Sequence, residues 1–220
     1  MAVLDPVIPQ VLATRIIPRV DASLARAYGF DGDELPAVGL ITCDLDDALY
    51  TALDEATKQA PVEVVFARSF YAGAASASGP TSGEILGMFA ARDPADVERG
   101  LSACIGCLER EAHFYQADPE GKLTFFPHVI SSLGYYLSKE ADLSVGESMA
   151  YLIATPLEAI YGVDAALKAA DVRLVRNFPP PTETNYAGAY LTGTLEACEA
   201  AAQAFAQAVV QIAAQPKRLF

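Results

Sequence analysis

Two rhythms of apolar residues organise this chain. In the first, short apolar runs bounded by glycine, proline or charge read as strands, over 11–20, 37–43, 62–66 and 83–89 and again over 124–132, 149–155, 172–175 and 187–191. In the second, apolar residues return every three or four positions, as Val97, Leu101, Ile105 and Leu108 do after Asp93-Pro94, and as Cys198, Phe205, Val209 and Ile212 do after Thr194. Aspartate before proline marks a helix start: the carboxylate accepts a first-turn N–H, and proline has none to leave unsatisfied. These signals predict helices over 93–109 and 194–214. Shorter helices are predicted over 48–60, where Pro61 stops the helix, and over 158–170. The stretches 113–123 and 138–147 are polar and read as connections, the first being the expected domain junction.

The order strand, strand, helix, strand, strand, helix occurs twice. Tyr50-Thr51-Ala52-Leu53-Asp54-Glu55-Ala56-Thr57-Lys58 leads into the apolar run at 62–66, and about half a chain later Tyr161-Gly162-Val163-Asp164-Ala165-Ala166-Leu167-Lys168 leads into 172–175. A duplicated unit at this spacing predicts two tandem domains, 1–112 and 113–220. Each is expected to be of mixed α/β (α+β) class, a small mixed sheet covered by helices.

Composition narrows the function. The 220 residues carry a formal charge of −13, which repels a phosphate backbone or an anionic lipid surface, so no nucleic-acid partner is expected. The start Met1-Ala2-Val3-Leu4-Asp5-Pro6 lacks the basic and apolar segments of a secretory signal, and no apolar run reaches the roughly 18 residues that span a bilayer. A cytosolic protein without membrane partners is the expectation. Hydrophobic residues make up 52% and charged ones only 20%, a balance that points to surface covered by neighbouring subunits. Cys43, Cys104, Cys107 and Cys198 read as reduced, buried thiols; Cys104-Ile105-Gly106-Cys107 lies inside a helical pattern with no second ligand pair, so core packing is preferred to metal binding.

Several segments resemble one family. Ala52-Leu53-Asp54-Glu55-Ala56-Thr57-Lys58, Ala67-Arg68-Ser69-Phe70-Tyr71-Ala72-Gly73-Ala74, Pro156-Leu157-Glu158-Ala159-Ile160-Tyr161 and Pro180-Pro181-Thr182-Glu183-Thr184-Asn185-Tyr186 are similar, in order and over nearly the whole chain, to the tandem-domain shell proteins of ethanolamine-utilisation bacterial microcompartments. The resemblance implies that each half is a circularly permuted shell domain. It also implies that three chains make a flat pseudo-hexagonal homotrimer tiling with other shell proteins, with a gated central pore and small pores associated with ethanolamine.

On that resemblance, the loops after the strands ending near Phe66 and Val175 are the central-pore loops, with Gly73, Ala74, Ala75 and Ser76 in one and Pro179, Pro180, Pro181, Thr182 and Glu183 in the other. Pattern alone leaves both as ordinary surface loops. The small-pore site carried over from the family consists of Asp46, Asp47 and Glu84 on the amine, Thr184 on the hydroxyl and Phe114 as the wall. The chemistry is apt, since an ammonium group needs anionic acceptors to replace its hydration. The competing reading of 44–47 is a helix cap with first-turn acids favoured by the helix dipole.

No catalytic arrangement is found: the chain lacks a Gly-x-Ser-x-Gly, a phosphate loop, a dinucleotide fingerprint and a His-x-x-x-His pair, and His128 in its apolar run reads as a partly buried, hydrogen-bonded residue. The resulting expectation is a non-enzymatic shell protein without cofactor or metal. Its alternatives are a ligand-sensing regulatory trimer and a small-amine enzyme using Asp46, Asp47 and Glu84.

Overall fold

Residues 5–70, 81–180 and 182–218 are described by the structure, a computed structural model. In chain order they form β1 (Pro6–Val7), β2 (Val11–Ile17), α1 (Ala22–Ala27), β3 (Ala37–Cys43), α2 (Asp46–Gln59), β4 (Glu63–Ser69), β5 (Ile85–Ala91), α3 (Pro94–Arg110), β6 (Phe114–Gln116), β7 (Thr124–Ile130), α4 (Tyr135–Ala141), β8 (Ser148–Ala154), α5 (Pro156–Ala169), β9 (Arg173–Phe178), β10 (Ala187–Gly193) and α6 (Leu195–Ala214). Two compact units result. One holds 9–112 together with 134–137, and the other holds 5–8, 113–133 and 138–218.

In the first unit the antiparallel sheet runs β2-β3-β5-β4. Alternation along β3 sends Gly39, Ile41 and Cys43 to one face and Val38 and Leu40 to the other. Helices α2 and α3 cover the first face. Phe89 is fully buried there, and its ring would meet a side chain added at either Gly39 of β3 or Gly100 of α3, so the two glycines let α3 approach the sheet closely. A smaller cluster of Val20, Ala25, Val38, Met88 and Ala90 occupies the opposite face beside α1. Helix α3 starts as its sequence predicts, with the Asp93 carboxylate accepting from Ala95 N at 2.8 Å and Pro94 at the first helical position.

The second unit repeats this plan and extends it. Its sheet runs β1-β6-β7-β8-β10-β9, so the four strands β7-β8-β10-β9 stand in the same order as β2-β3-β5-β4. Helices α5 and α6 enclose a core that includes Phe125, Leu152, Leu191, Val163, Phe205 and Val209. The equivalence reaches single residues. Val20 N donates to Pro36 O at 2.8 Å and Leu133 N to Glu147 O at 2.9 Å; Phe30 N reaches Ala25 O at 3.2 Å and Leu143 N reaches Ser138 O at 2.9 Å; Gly29 and Asp142 both take positive φ, +82° and +53°.

The structure corrects the sequence reading at four places. The strand expected over 11–20 ends at Ile17, because Pro18 cannot donate to the ladder. The short α1 has too few residues to show a period. The supposed connection 113–123 contains β6, which pairs with β1 and β7, and the supposed connection 138–147 begins with the last residues of α4. Both are too short to declare themselves by periodicity and are fixed by what they pair with.

Candidate functional site

The acidic residues of the first unit gather where β3 hands over to α2. Leu45 occupies the cap position and makes no side-chain cap bond; Asp46 and Asp47 form the first turn instead, each only 7% exposed. Their charge suits the unpaired N–H groups of that turn, and Asp47 N donates to Asp46 Oδ1 at 3.0 Å. Glu84 enters from the other side of β3: its N–H donates to Cys43 O at 2.9 Å and its carbonyl accepts from Phe70 N at 2.8 Å, which extends the ladder past the end of β5. Gly83 makes this turn possible, since a Cβ there would collide with the Cys43 carbonyl.

Electrostatics tie these carboxylates together. Burial pushes the Asp46 carboxyl up, opposed by the Ser69 hydroxyl and backbone N–H groups that bond its charged form. Burial, then the charges of Asp46 and Asp44, push Glu84 up to about 7. Asp44 is turned to another task, accepting from Gln10 N at 2.7 Å. A half-buried carboxyl that burial and neighbouring anions keep protonated up to near neutrality is a group that a bound cation would ionise.

Two residues that the sequence reading missed complete this cluster. The Tyr50 hydroxyl lies 2.9 Å from Ser69 Oγ and accepts from Ser69 N at 2.9 Å, and Ser69 in turn bonds Asp46. Tyr50 follows Asp46 by four residues on α2, a spacing that places both on one face and could have drawn attention to it. Nothing local marks Ser69, which is brought there by the pairing of β4 with β5 at Ile85.

Phe114 and Thr184 belong to the second unit. Phe114 is 3% exposed, stacked on Phe126 with ring centroids 4.9 Å apart and edge-on to Tyr186 at 6.1 Å. Thr184 is half-buried in the turn before β10, where Asn185 N donates to Thr182 O at 3.2 Å, Thr182 Oγ1 donates to Tyr186 O at 2.8 Å and Asn185 takes a φ of +63°. Of the expected site residues, Asp46, Asp47 and Glu84 are thus brought together within one unit, and Phe114 and Thr184 are placed in the other. Pro179, Pro180 and Glu183 are exposed and Thr182 is half-buried; Gly73, Ala74, Ala75, Ser76 and Pro181 lie outside the described residues.

The cysteines are all free and buried, and burial pushes the Cys43 and Cys107 thiols up to about 12 and Cys104 well above its ordinary value, leaving neutral thiols at physiological pH. His128 stacks on Phe126 at 5.1 Å. Among the described residues no group of histidine, cysteine and carboxylate side chains could hold a metal ion, and no helix is long and apolar enough to cross a membrane.

Residues 37–117 match the family model described as BMC domain. The bacterial microcompartment shell protein EutL of Escherichia coli strain K12 is 50% identical over 216 residues, covering 98% of each chain. The chain belongs to the ethanolamine-utilisation shell proteins of bacterial microcompartments. Solved members of this shell-protein family share the fold: EutL from Leptotrichia buccalis superposes with a TM-score of 0.94 at 48% identity, covering 98% of this chain and 99% of that one. A monoclinic crystal structure of EutL from Clostridium perfringens gives 0.95 at 46% identity, with coverage of 100% and 99%. The shell-domain match begins at β3 and leaves β2 outside it.

Proposed function

We propose that this shell protein works as a homotrimer of two tandem shell domains, 1–112 and 113–220, whose six similar edges give a pseudo-hexagonal particle that packs laterally with other shell proteins. The observation that carries the reading is the residue-level repeat of one sheet order and one connection geometry in both units, since three copies of a duplicated unit supply six related edges around a closed axis. Around that axis the loops 72–80 and 178–183 form a gated central pore, while the smaller openings bind ethanolamine. Asp46, Asp47 and Glu84 take the ammonium group, Thr184 the hydroxyl, and Phe114 closes the wall. Selection is steric and electrostatic, without covalent chemistry.

A ligand of four heavy atoms binds weakly, with a dissociation constant of roughly millimolar or somewhat tighter. Calorimetric titration of ethanolamine into the purified protein tests the small-pore reading, and the absence of saturable heat up to tens of millimolar contradicts it. Light scattering tests the assembly. The expected mass is about 70 kDa, three copies of a 23.3 kDa chain, against a monomer at micromolar concentration.

A further inference from the structure

Asp46, Asp47, Tyr50, Ser69 and Glu84 change together between the two units. Helices α2 and α5 are of equal length, so Asp46, Asp47 and Tyr50 stand opposite Pro156, Leu157 and Ile160. Strands β5 and β10 align in the same way, which sets Glu84 opposite Tyr186. Ser69 pairs with Ile85, the first residue of β5, and Phe178 pairs with Gly188, the second residue of β10, so the counterpart of Ser69 is Pro179. The second unit builds the same strand order without any of these residues. Tyr50 and Ser69 are therefore not what the fold requires, and they stand where the carboxylates stand.

Their hydrogen bonds explain the association. Ser69 N donates to the Tyr50 hydroxyl oxygen at 2.9 Å, and the two hydroxyl oxygens are 2.9 Å apart. Ser69 also bonds the Asp46 carboxyl, and both residues are only 7% exposed. Each hydroxyl has one proton to give, and an ionised carboxylate can only accept. The Ser69 proton therefore goes to Asp46 and the Tyr50 proton to Ser69 Oγ, which gives the chain one direction. Burial, with the charges of Asp46 and Asp47, holds the Tyr50 phenol above its ordinary range, so it keeps its proton. The Tyr136 ring stacks on Tyr50 with centroids 6.4 Å apart and steadies the phenol.

We infer that Tyr50 and Ser69 are positioning residues of the ammonium site: their hydroxyl chain keeps Asp46 ionised and oriented, so that Asp46 is the standing anion and Glu84 is the carboxyl that ionises when the cation arrives. The inference rests on the small-pore reading and assigns the roles within it. The titratable groups around Asp46 are Asp47 and Tyr50 on α2, Cys43 and Asp44 at the end of β3, and Glu84 before β5. Burial raises the Asp46 carboxyl, and the Ser69 hydroxyl opposes that rise through a charge-assisted bond that the second hydroxyl polarises further. Burial and the charges of Asp46 and Asp44 act on Glu84 in the raising direction alone. Without its donor, Asp46 would take up a proton at higher pH, and the site would lose its standing charge in the range where Glu84 titrates.

Titration calorimetry of ethanolamine at pH 8 and pH 6 tests this on the full chain, with wild type, Tyr50→Phe, Ser69→Ala and Ser69→Thr. Phenylalanine keeps the ring and its stacking, so Tyr50→Phe removes the hydroxyl alone. Loss of a donor to the charged form raises the carboxyl, so the defect grows as pH falls. Tyr50→Phe and Ser69→Ala are each expected to bind about twofold more weakly than wild type at pH 8 and about tenfold more weakly at pH 6. Ser69→Thr keeps the hydroxyl and is expected to bind as wild type does. A wild type without saturable binding defeats the small-pore reading itself. With wild-type binding in place, the positioning role is overturned by hydroxyl-free variants that match wild type, by a loss of the same factor at both pH values, or by a threonine variant as weak as the alanine one.

Discussion

Glu84 is the residue on which the electrostatics of the acidic cluster turn. Its carboxyl holds a proton up to about pH 7, and an ammonium ligand favours the ionised form, so ethanolamine affinity is expected to fall as pH drops through 7, by about tenfold between pH 8 and pH 6. Replacing it, Glu84→Gln should weaken binding about fivefold at pH 8, a charge-assisted hydrogen bond becoming a neutral one, and should flatten this pH profile. Titration calorimetry at the two pH values checks both; a wild-type profile retained by Glu84→Gln removes Glu84 from the site. The same raised value has a cost in folding: the native state binds the extra proton between the ordinary glutamate range and pH 7, so this group's contribution to stability declines as pH rises through that window.

Asp54 illustrates what the sequence hides at this scale. It reads as one more polar residue on an amphipathic helix, yet it is 1% exposed and satisfies two backbone N–H groups some eighty residues away. Removing the acceptor in Asp54→Ala leaves Gly134 N and Leu137 N buried without partners and is expected to cost about 2–4 kcal/mol in denaturant unfolding. A loss under about 0.5 kcal/mol would show that water replaces the carboxylate. The crowding of Asp44, Asp46 and Asp47 after an apolar run, in contrast, stands out locally, whereas Glu84 was joined to them through the family resemblance. Tyr50 and Ser69 were not legible, since their partnership depends on how β4 pairs with β5 beside α2.

At the scale of elements, the long helices and the interior strands were legible to within a few residues, because caps, proline stops and strong periods are local signals. What escaped was short: α1, β6 and the start of α4, whose conformations are imposed by pairing and capping partners distant in sequence. Glycine positions tell a related story. Gly162 lies inside α5, where propensity alone disfavours it, but a Cβ there would come within 2.7 Å of the buried Phe205 ring of α6. Gly162→Val is therefore expected to destabilise the second unit by about 1–3 kcal/mol, since overpacking outweighs any gain in helix propensity. Thermal unfolding followed by circular dichroism measures it, and a raised midpoint would contradict the close packing of α5 on α6.

For the whole molecule, the duplication seen as two similar strings of residues becomes two sheets with one strand order, and the similarity to EutL proteins over nearly the full chain places it in a family of shell components. A net charge of −13 and a high apolar content fit the trimer proposed above, in which copies of the chain would cover one another's apolar edges. The most direct measurement is an electron micrograph of the concentrated pure protein. Hexagonally ordered sheets, whose repeating particle has the mass of three chains, are the predicted result; dispersed single-chain particles with no lateral order at any concentration would contradict the account.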